Sequence, residues 1–529
     1  MTPPTKTRAS QPGAPATARS STFSVLASDF KAPSVLPHCL PETSQRSRCA
    51  PPLRVLKFGG TSVGDVSSIS QVVEIVRAAS RQSGLVVVVS AMAGVTNRLL
   101  QAAALSLAAD RGPVAAIFAE LREKHELAAA ALIRSHSTRS RVIRTLQQLL
   151  HEGDRLCHGA LLLGELTPRA RDSISSLGER MSAPLLAAAL AERGIPSESV
   201  EATELVVTDS NHGAADPCME LTRGRCQARL FPLLKRGIVP VVTGFIGSTA
   251  DGALTTLGRG GSDYSATIVG AALDASEVVI WTDVDGLLTA DPRLVPTACT
   301  IPEISYREAA ELAYFGAKVL HPKTLRAITQ ARIPLWIRNT FAPQRPGTKI
   351  TPAGPASVAG VKALTAIGDV SLISVGGPGI VGVSDVLART FAATSAVRAD
   401  VLLISYSSSQ NDISLVLPSA IAPPAVEALR REFAQDLAHE KVEHITVEPG
   451  VAIVTVVGQN MRGISGIVGR AFGALGRDNV NIVAIAQGSS ECNLSFVVAQ
   501  RDVQAALLAV HREFRLDARR ARLLPVTGS

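Results

Sequence analysis

The 529-residue chain has seven cysteines (Cys39, Cys49, Cys157, Cys218, Cys226, Cys299 and Cys492), and no two of them form a C-x-x-C pair. The odd number and scattered spacing argue against both a thiolate zinc site and a disulfide framework, so reduced thiols are expected. Aromatic residues make up only 4% of the chain. No uninterrupted apolar run reaches about 18 residues, so no membrane span is expected. No Gly-Lys dipeptide occurs, which excludes a Walker-type P-loop. Acid is in deficit: 45 Asp and Glu stand against 53 Lys and Arg, a formal charge of +8. Half of that excess lies in residues 1–52, where Lys6, Arg8, Arg19, Lys31, Arg46 and Arg48 outnumber Asp29 and Glu42. A second basic cluster, Arg512, Arg515, Arg519, Arg520 and Arg522, ends the chain. With no aromatic-interleaved basic face, solvated tails account for the charge, and nucleic acid is not an expected partner.

What the chain does contain suits stacked α/β layers. Hydrophobic residues make up 46% and charged residues 19%, and the length calls for roughly two to four domains. Residues 1–52, rich in Pro, Ser, Thr and Ala, read as a disordered basic tail. It is open whether they are a transit peptide, an extension or a start-site error. From Leu53 onward, apolar runs at 53–58, 85–90, 238–243, 277–282 and 335–339 read as buried strands. Helical patterns lie between them at 67–80, 99–166, 181–193, 219–235, 263–273 and 306–314. This alternation predicts a mainly parallel sheet sandwiched by helices.

Pro343, Pro346, Gly347, Pro352, Gly354 and Pro355 then mark a linker, placed at 346–360. Beyond it, residues 370–417 align with 451–498 at a constant offset of 81 without gaps, matching Val375 to Val456, Gly377 to Gly458, Arg389 to Arg470 and Phe391 to Phe472. Each copy reads strand, glycine turn, helix, strand, turn, strand. Two copies of one small α+β unit suggest a paired regulatory module.

Five strings carry the chemistry. In Lys57-Phe58-Gly59-Gly60-Thr61-Ser62 a lysine ends a strand, and two glycines let backbone N–H groups approach phosphate oxygens. Gly258-Arg259-Gly260-Gly261-Ser262-Asp263 opens a helix, where N–H groups favour anions and the Arg259 fork fits a carboxylate. Ser176-Leu177-Gly178-Glu179-Arg180 reads as a glycine turn before a helix, with Glu179 available for an ammonium. Trp281-Thr282-Asp283-Val284-Asp285-Gly286 ends another strand. Phe315-Gly316-Ala317-Lys318-Val319-Leu320-His321-Pro322 offers a lysine freed by glycine; His321 is assigned no chemistry. A sixth string, Gly377-Pro378-Gly379-Ile380-Val381-Gly382, has the form G-x-G-x-x-G. No acidic residue closes its following strand, and the sister repeat lacks the pattern, so a dinucleotide site is not expected.

Together and in this order, the five strings resemble aspartate kinase, a member of the amino acid kinase family, over roughly residues 53–515. The resemblance implies an amino acid kinase domain at 53–345, ACT domains at 361–445 and 446–515, and a tail at 516–529. The wording is most similar to the threonine-regulated bifunctional type. That type carries a homoserine dehydrogenase domain after the ACT pair, and because the chain ends at Ser529 a monofunctional enzyme is expected.

The implied reaction is ATP plus L-aspartate to ADP plus 4-phospho-L-aspartate, in a cytoplasmic enzyme with Mg²⁺ arriving on ATP and no metal site of its own. By the same resemblance, Lys57 would stabilise the transferred phosphoryl group, and Phe58, Gly59 and Gly60 would meet ATP. Arg259 would clamp the α-carboxylate of aspartate, and Glu179 its ammonium. Ser90 and Thr96 would line that pocket, and Asp263 would orient the cations. Thr282, Asp283, Leu288, Arg293, Lys318 and Val319 would contact ATP; Leu288 stands where many members have Tyr. Gln487, with Asn481 and Ile482, would bind an amino-acid effector, threonine first and lysine second; the matching residue of the first repeat is Tyr406. Pairing of ACT domains implies a homo-oligomer. Glutamate 5-kinase, acetylglutamate kinase and a catalytically dead amino-acid sensor are the competing readings.

Overall fold

The computed structural model describes residues 52–107, 112–316, 319–355, 360–377, 383–406, 412–459, 461–488 and 492–517. Lys318, residues 1–51, 378–382, 489–491 and 518–529 lie outside the described residues.

The first layered region begins with β1 (Leu53–Phe58), α1 (Val66–Ser80) and β2 (Gly84–Val89). Four helices follow: α2 (Val95–Leu105), α3 (Gly112–Leu132), α4 (His136–Leu163) and α5 (Pro168–Glu192). Then come β3 (Ser197–Val200), α6 (Met219–Lys235), β4 (Val239–Thr243), β5 (Ile246–Ser248) and β6 (Leu254–Thr256). The region closes with α7 (Gly261–Ala272), β7 (Glu277–Thr282), β8 (Glu303–Ser305), α8 (Tyr306–Tyr314), α9 (Pro322–Ala331), β9 (Leu335–Asn339) and β10 (Thr348–Thr351).

Eight of these strands form one sheet in the order β3-β4-β2-β1-β7-β9-β10-β8. All neighbours run parallel except β9 and β10. The unbroken apolar run of β2 follows from burial on both faces. Leu85, Val87 and Val89 point into the core under α1–α5, and Val86 and Val88 into the core under α6, α7 and α9.

Two expectations change here. The stretch read as a linker contains β10, because Gly347 (φ +76°) makes a turn so tight that a Cβ would lie 2.2 Å from the Ile337 carbonyl. Glu179 sits inside the 25-residue helix α5, not at a turn before a helix. Gly178 serves packing: a Cβ there would lie 2.6 Å from the Ala91 methyl.

The second region runs β11 (Ala363–Gly376), α10 (Val383–Ala396), β12 (Leu403–Tyr406), β13 (Ile413–Pro418), α11 (Ala422–Glu432) and α12 (Ala434–Ala438). It continues with β14 (His444–Val457), α13 (Ile467–Arg477), β15 (Ala484–Ala486), β16 (Asn493–Ala499) and α14 (Val503–Glu513). Its six-stranded sheet has the order β12-β13-β11-β14-β16-β15. The long strands β11 and β14 pair antiparallel, with a register irregularity between Ile367 and Leu372. Each therefore serves both repeats: the second half of β11 pairs with β13, and the second half of β14 with β16.

The repeat extends to side chains. Arg389 donates to Glu432 Oε1 at 2.8 Å and lies 4.4 Å over the Phe433 ring. At the same offset, Arg470 donates to Glu513 Oε1 at 3.0 Å and lies 4.4 Å over Phe514.

The two regions are joined by a buried ion pair, Lys362–Glu308 at 2.8 Å, in which Glu308 also closes the capping box of α8. Thr365 donates to the Phe315 carbonyl at 2.7 Å, and Thr289 shares a 3.0 Å hydrogen bond with His511 of α14.

Candidate active site

A cavity of about 1080 Å³ opens beyond the C-terminal ends of β1 and β2. Such crevices form where successive strands depart to opposite sides of a parallel sheet, as β2 and β7 do around β1. Lys57, Gly60, Ser90, Thr96, Glu179, Arg259 and Asp263 all line it. The sequence strings carrying these residues lie far apart in the chain, and the fold brings them to one place.

Lys57 is the fifth residue of β1 and is largely buried. Its Nζ lies 2.5 Å from Asp263 Oδ1. Asp263 occupies the first turn of α7, whose N-cap is Gly260 at φ +70°. The dipole of that turn favours the carboxylate, and the carboxylate holds the ammonium. Gly60 packs closely on the next loop, since a Cβ would approach the Ala91 carbonyl to 3.1 Å. Gly59 donates its N–H to the Trp281 carbonyl at 3.1 Å, tying the glycine loop to β7.

Glu179 is buried, and burial pushes its carboxyl up to about 7, against the opposing pull of the Ala91 backbone and Lys57. Ser262 reaches its Oε1 at 3.5 Å, and its Oε2 is buried without a hydrogen-bond partner among the described residues. A buried carboxylate oxygen left in this state suits an incoming cation. Arg259 is exposed to the cavity on the loop between β6 and α7.

The other expected nucleotide contacts among the described residues lie outside the cavity lining. Thr282 ends β7 and Asp283 follows it, next to the glycine loop, with Thr282 Oγ1 donating to Asp283 at 3.1 Å. Leu288 is half-buried in a bridge with Thr300. Arg293 is largely exposed and paired with Asp291 at 2.5 Å. Val319 packs partly against the core under α7 and α9, and Phe58 is fully buried, stacked on Trp281 with ring centroids 6.2 Å apart.

Sequence reasoning did not single out His321, Asp172, His212 or Thr256 as part of the site. His321 caps α9 and presses its Cβ against Gly260; burial, then Lys323 and Arg259, lower its basicity. Asp172, His212 and Thr256 line the cavity. The available signal was spacing: Asp172 precedes Glu179 by two helical turns and so shares its face.

In the second region, Gln487 and Asn481 are exposed on either side of β15, and Ile482 packs against the core of the second repeat. Ser405 of β12 donates to the Ile485 carbonyl of β15 at 3.2 Å, so the equivalent edge strands of the two repeats adjoin.

The amino acid kinase family model matches residues 52–339, and the ACT domain model matches 373–433 and 454–514. Aspartokinase 1, chloroplastic, of Arabidopsis thaliana is 32% identical over 87% of this chain and 80% of its own. The chain belongs to the amino acid kinase family, among the aspartokinases. The aspartokinase fold extends along it: E. coli aspartokinase III, solved with aspartate and ADP, superposes with TM-score 0.74 at 31% identity, covering 87% of this chain and 99% of that one. The bifunctional aspartokinase/homoserine dehydrogenase of Haemophilus influenzae is 34% identical over 87% of this chain but only 56% of its own length. The chain thus spans about half the length of several curated relatives that it matches. The matched ACT segments are separated by the same offset of 81 as the internal repeat.

Proposed function

We propose that this aspartokinase transfers the γ-phosphoryl group of ATP to the β-carboxylate of L-aspartate, giving ADP and 4-phospho-L-aspartate. The reaction would open lysine, threonine and methionine biosynthesis. The observation that carries the reading is the joint lining of one cavity by Glu179 and Arg259, opposite charges suited to the two ends of an α-amino acid, beside the Lys57–Asp263 pair.

Arg259 clamps the α-carboxylate bidentately, and Glu179 takes the ammonium. Ser90 and Thr96 shape the wall. The side-chain carboxylate is already anionic near neutral pH, so the nucleophile needs no general base. Lys57 neutralises charge spreading over the phosphoryl oxygens, held in place by Asp263. Phe58, Gly59 and Gly60 approach the phosphates. Thr282, Asp283, Leu288, Arg293, Lys318 and Val319 form the nucleotide side. Mg²⁺ would come with ATP on phosphate oxygens and water: of the cavity's carboxylates, Asp172 is held by four protein donors and Asp263 by Lys57, and Glu179 faces the substrate ammonium.

The catalytic domain is taken as 53–345 with β10 completing its sheet, and the ACT pair as 361–445 and 446–515. Gln487, Asn481 and Ile482 bind an amino-acid effector. Threonine is the first candidate and lysine the second; E. coli aspartokinase III has been solved with lysine and aspartate. The ACT units pair in a homo-oligomer. A cytoplasmic setting is proposed for the enzyme; burial pushes the free thiols of Cys157 and Cys226 up to about 11 and about 12, which leaves them unreactive.

The test is ADP release by purified protein with ATP and L-aspartate or L-glutamate, with hydroxylamine to trap the acyl phosphate. Threonine and lysine are then added separately. Aspartyl hydroxamate formed with aspartate and not glutamate supports the reading. No turnover with aspartate sinks it.

A further inference from the structure

Helix α5 carries two buried carboxylates on one face, Asp172 and Glu179, and the substrate reading uses only the second. Asp172 is not idle. Its Oδ2 accepts from His212 Nδ1 at 3.0 Å, from the Gly213 N–H at 3.0 Å and from the Thr256 N–H at 3.1 Å. Its Oδ1 accepts from the Thr256 hydroxyl at 2.6 Å. Four donors from two other segments converge on one carboxylate that solvent barely reaches.

Those segments lead directly to Arg259. Thr256 ends β6, three residues before the arginine. Ala215 adds a second tie, donating its N–H to the Thr256 carbonyl at 2.9 Å. The carbonyl of Gly213 lies only 2.8 Å from where a Cβ of Gly258 would be, and Gly258 itself has φ +78°. The loop around His212–Gly213 and the glycine before Arg259 are thus packed backbone to backbone, with the Asp172 carboxylate holding both sides.

We propose that Asp172 is the positioning residue that sets Arg259 against Glu179. One helix face then governs both ends of the amino-acid pocket: Glu179 meets the ammonium directly, and Asp172 acts through the 209–216 loop and β6 on the residue that clamps the carboxylate. The proposal rests on the assignment of Glu179 and Arg259 to the acceptor amino acid. Asp172 is not a substrate contact in it, because its oxygens are already taken by four protein donors. Loosening this anchor shifts the guanidinium relative to Glu179 and weakens the acceptor amino acid, while Lys57 and the nucleotide side, which are held by β1, β7 and α7, stay in place.

Wild-type protein is assayed first; absence of aspartate-dependent ADP release there defeats the functional reading and not this inference alone. Asp172→Asn keeps the size but turns an amide N–H₂ toward donors in place of one oxygen. Its KM for L-aspartate is expected to rise roughly tenfold or more, the effect of losing charge-assisted hydrogen bonds. Its KM for ATP should stay within about twofold of wild type. Thr256→Val is the milder variant and carries the test if Asp172→Asn does not fold. It removes one hydroxyl donor, leaves the carboxylate charge, and is expected to raise the aspartate KM about threefold or more, again with the ATP KM held. An unchanged aspartate KM in Thr256→Val overturns the proposal, because it leaves Asp172 either inert or a direct contact. Parallel rises in both KM values also overturn it, since they mark general loosening.

Discussion

Lys57 Nζ sits 2.5 Å from Asp263 Oδ1, one at the end of the central strand and the other in the first turn of α7. The lysine is held before any nucleotide arrives, so little rearrangement is needed when charge develops on the transferred phosphoryl group. Lys57→Met is expected to lower kcat by about a hundredfold to a thousandfold. The KM for aspartate should change little, because the Glu179 and Arg259 contacts survive. Steady-state kinetics in both substrates checks this, and an unaltered kcat would remove Lys57 from the mechanism.

Glu179 gives the enzyme a pH dependence of definite sign. Burial raises its carboxyl to about 7, and only the ionised form pairs with an ammonium. The kcat/KM for aspartate should therefore fall as pH drops through about 7, approaching tenfold per unit on the acid limb. The β-carboxylate of aspartate titrates near 4 and lies below this window. The same shift makes a stability statement. A carboxyl whose folded value is raised from 4.5 resists ionisation in the fold, a cost absent below about 4.5 and fully present above about 7. Glu179→Gln should thus abolish the acid limb and most aspartate affinity, yet melt no lower than wild type at pH 8. A lower Tm at pH 8 would show that the ionised carboxylate stabilises the fold.

Arg259 tests the geometry of the other end of the pocket. Lysine keeps the charge but not the planar fork. Arg259→Lys should raise the aspartate KM by about tenfold to a hundredfold, the loss of one of two charge-assisted hydrogen bonds. A near-normal KM would mean that charge alone suffices there.

What the sequence made legible follows the physics of burial. β1, β2, β4, β7 and β9 read as apolar runs because helices cover both faces of the sheet, so no polar alternation interrupts them. The internal repeat was legible because both copies keep the same spacing down to Arg389 and Arg470. β3, β8 and β10 were not legible: each has three or four residues, mostly Ser, Glu, Thr and Lys, placed by their neighbours rather than by their own pattern. Gly178 misled, because a glycine beside a catalytic-looking Glu reads as a turn, whereas here it lets a long helix lie against Ala91. Asp172 carries no signature beyond its two-turn spacing from Glu179. Its partners come from residues 212, 213 and 256, which only the fold brings near.

The joint between the two regions rests on a buried charge. Lys362, just ahead of β11, pairs at 2.8 Å with Glu308, which is fully buried and caps α8. Removing one partner strands the other. Lys362→Met is expected to destabilise the protein by about 3–5 kcal/mol. Changing Lys362→Met together with Glu308→Gln, which removes both charges and keeps an acceptor for the cap, should cost less than the single change. Denaturant unfolding of the wild type and the two variants decides it, and a double variant worse than Lys362→Met would show that the pair's charge is not what matters.

Feedback inhibition offers the last test, and the two repeats make it asymmetric. β12 and β15 adjoin through Ser405 and Ile485, so Tyr406 at the end of β12 and Gln487 just past the end of β15 hold equivalent, neighbouring positions with different chemistry. A glutamine amide can both donate to and accept from an amino acid, whereas a phenol offers one hydroxyl and a ring. If Gln487 provides the effector's polar contacts, Gln487→Ala should raise the half-inhibiting concentration of threonine, or of lysine if lysine is the inhibitor, by roughly tenfold. Tyr406→Gln supplies the equivalent amide in the first repeat and should lower that concentration or steepen the inhibition curve. Should Gln487→Ala inhibit normally while Tyr406→Gln alters the curve, the effector sits in the first repeat and the assignment of Gln487 is wrong.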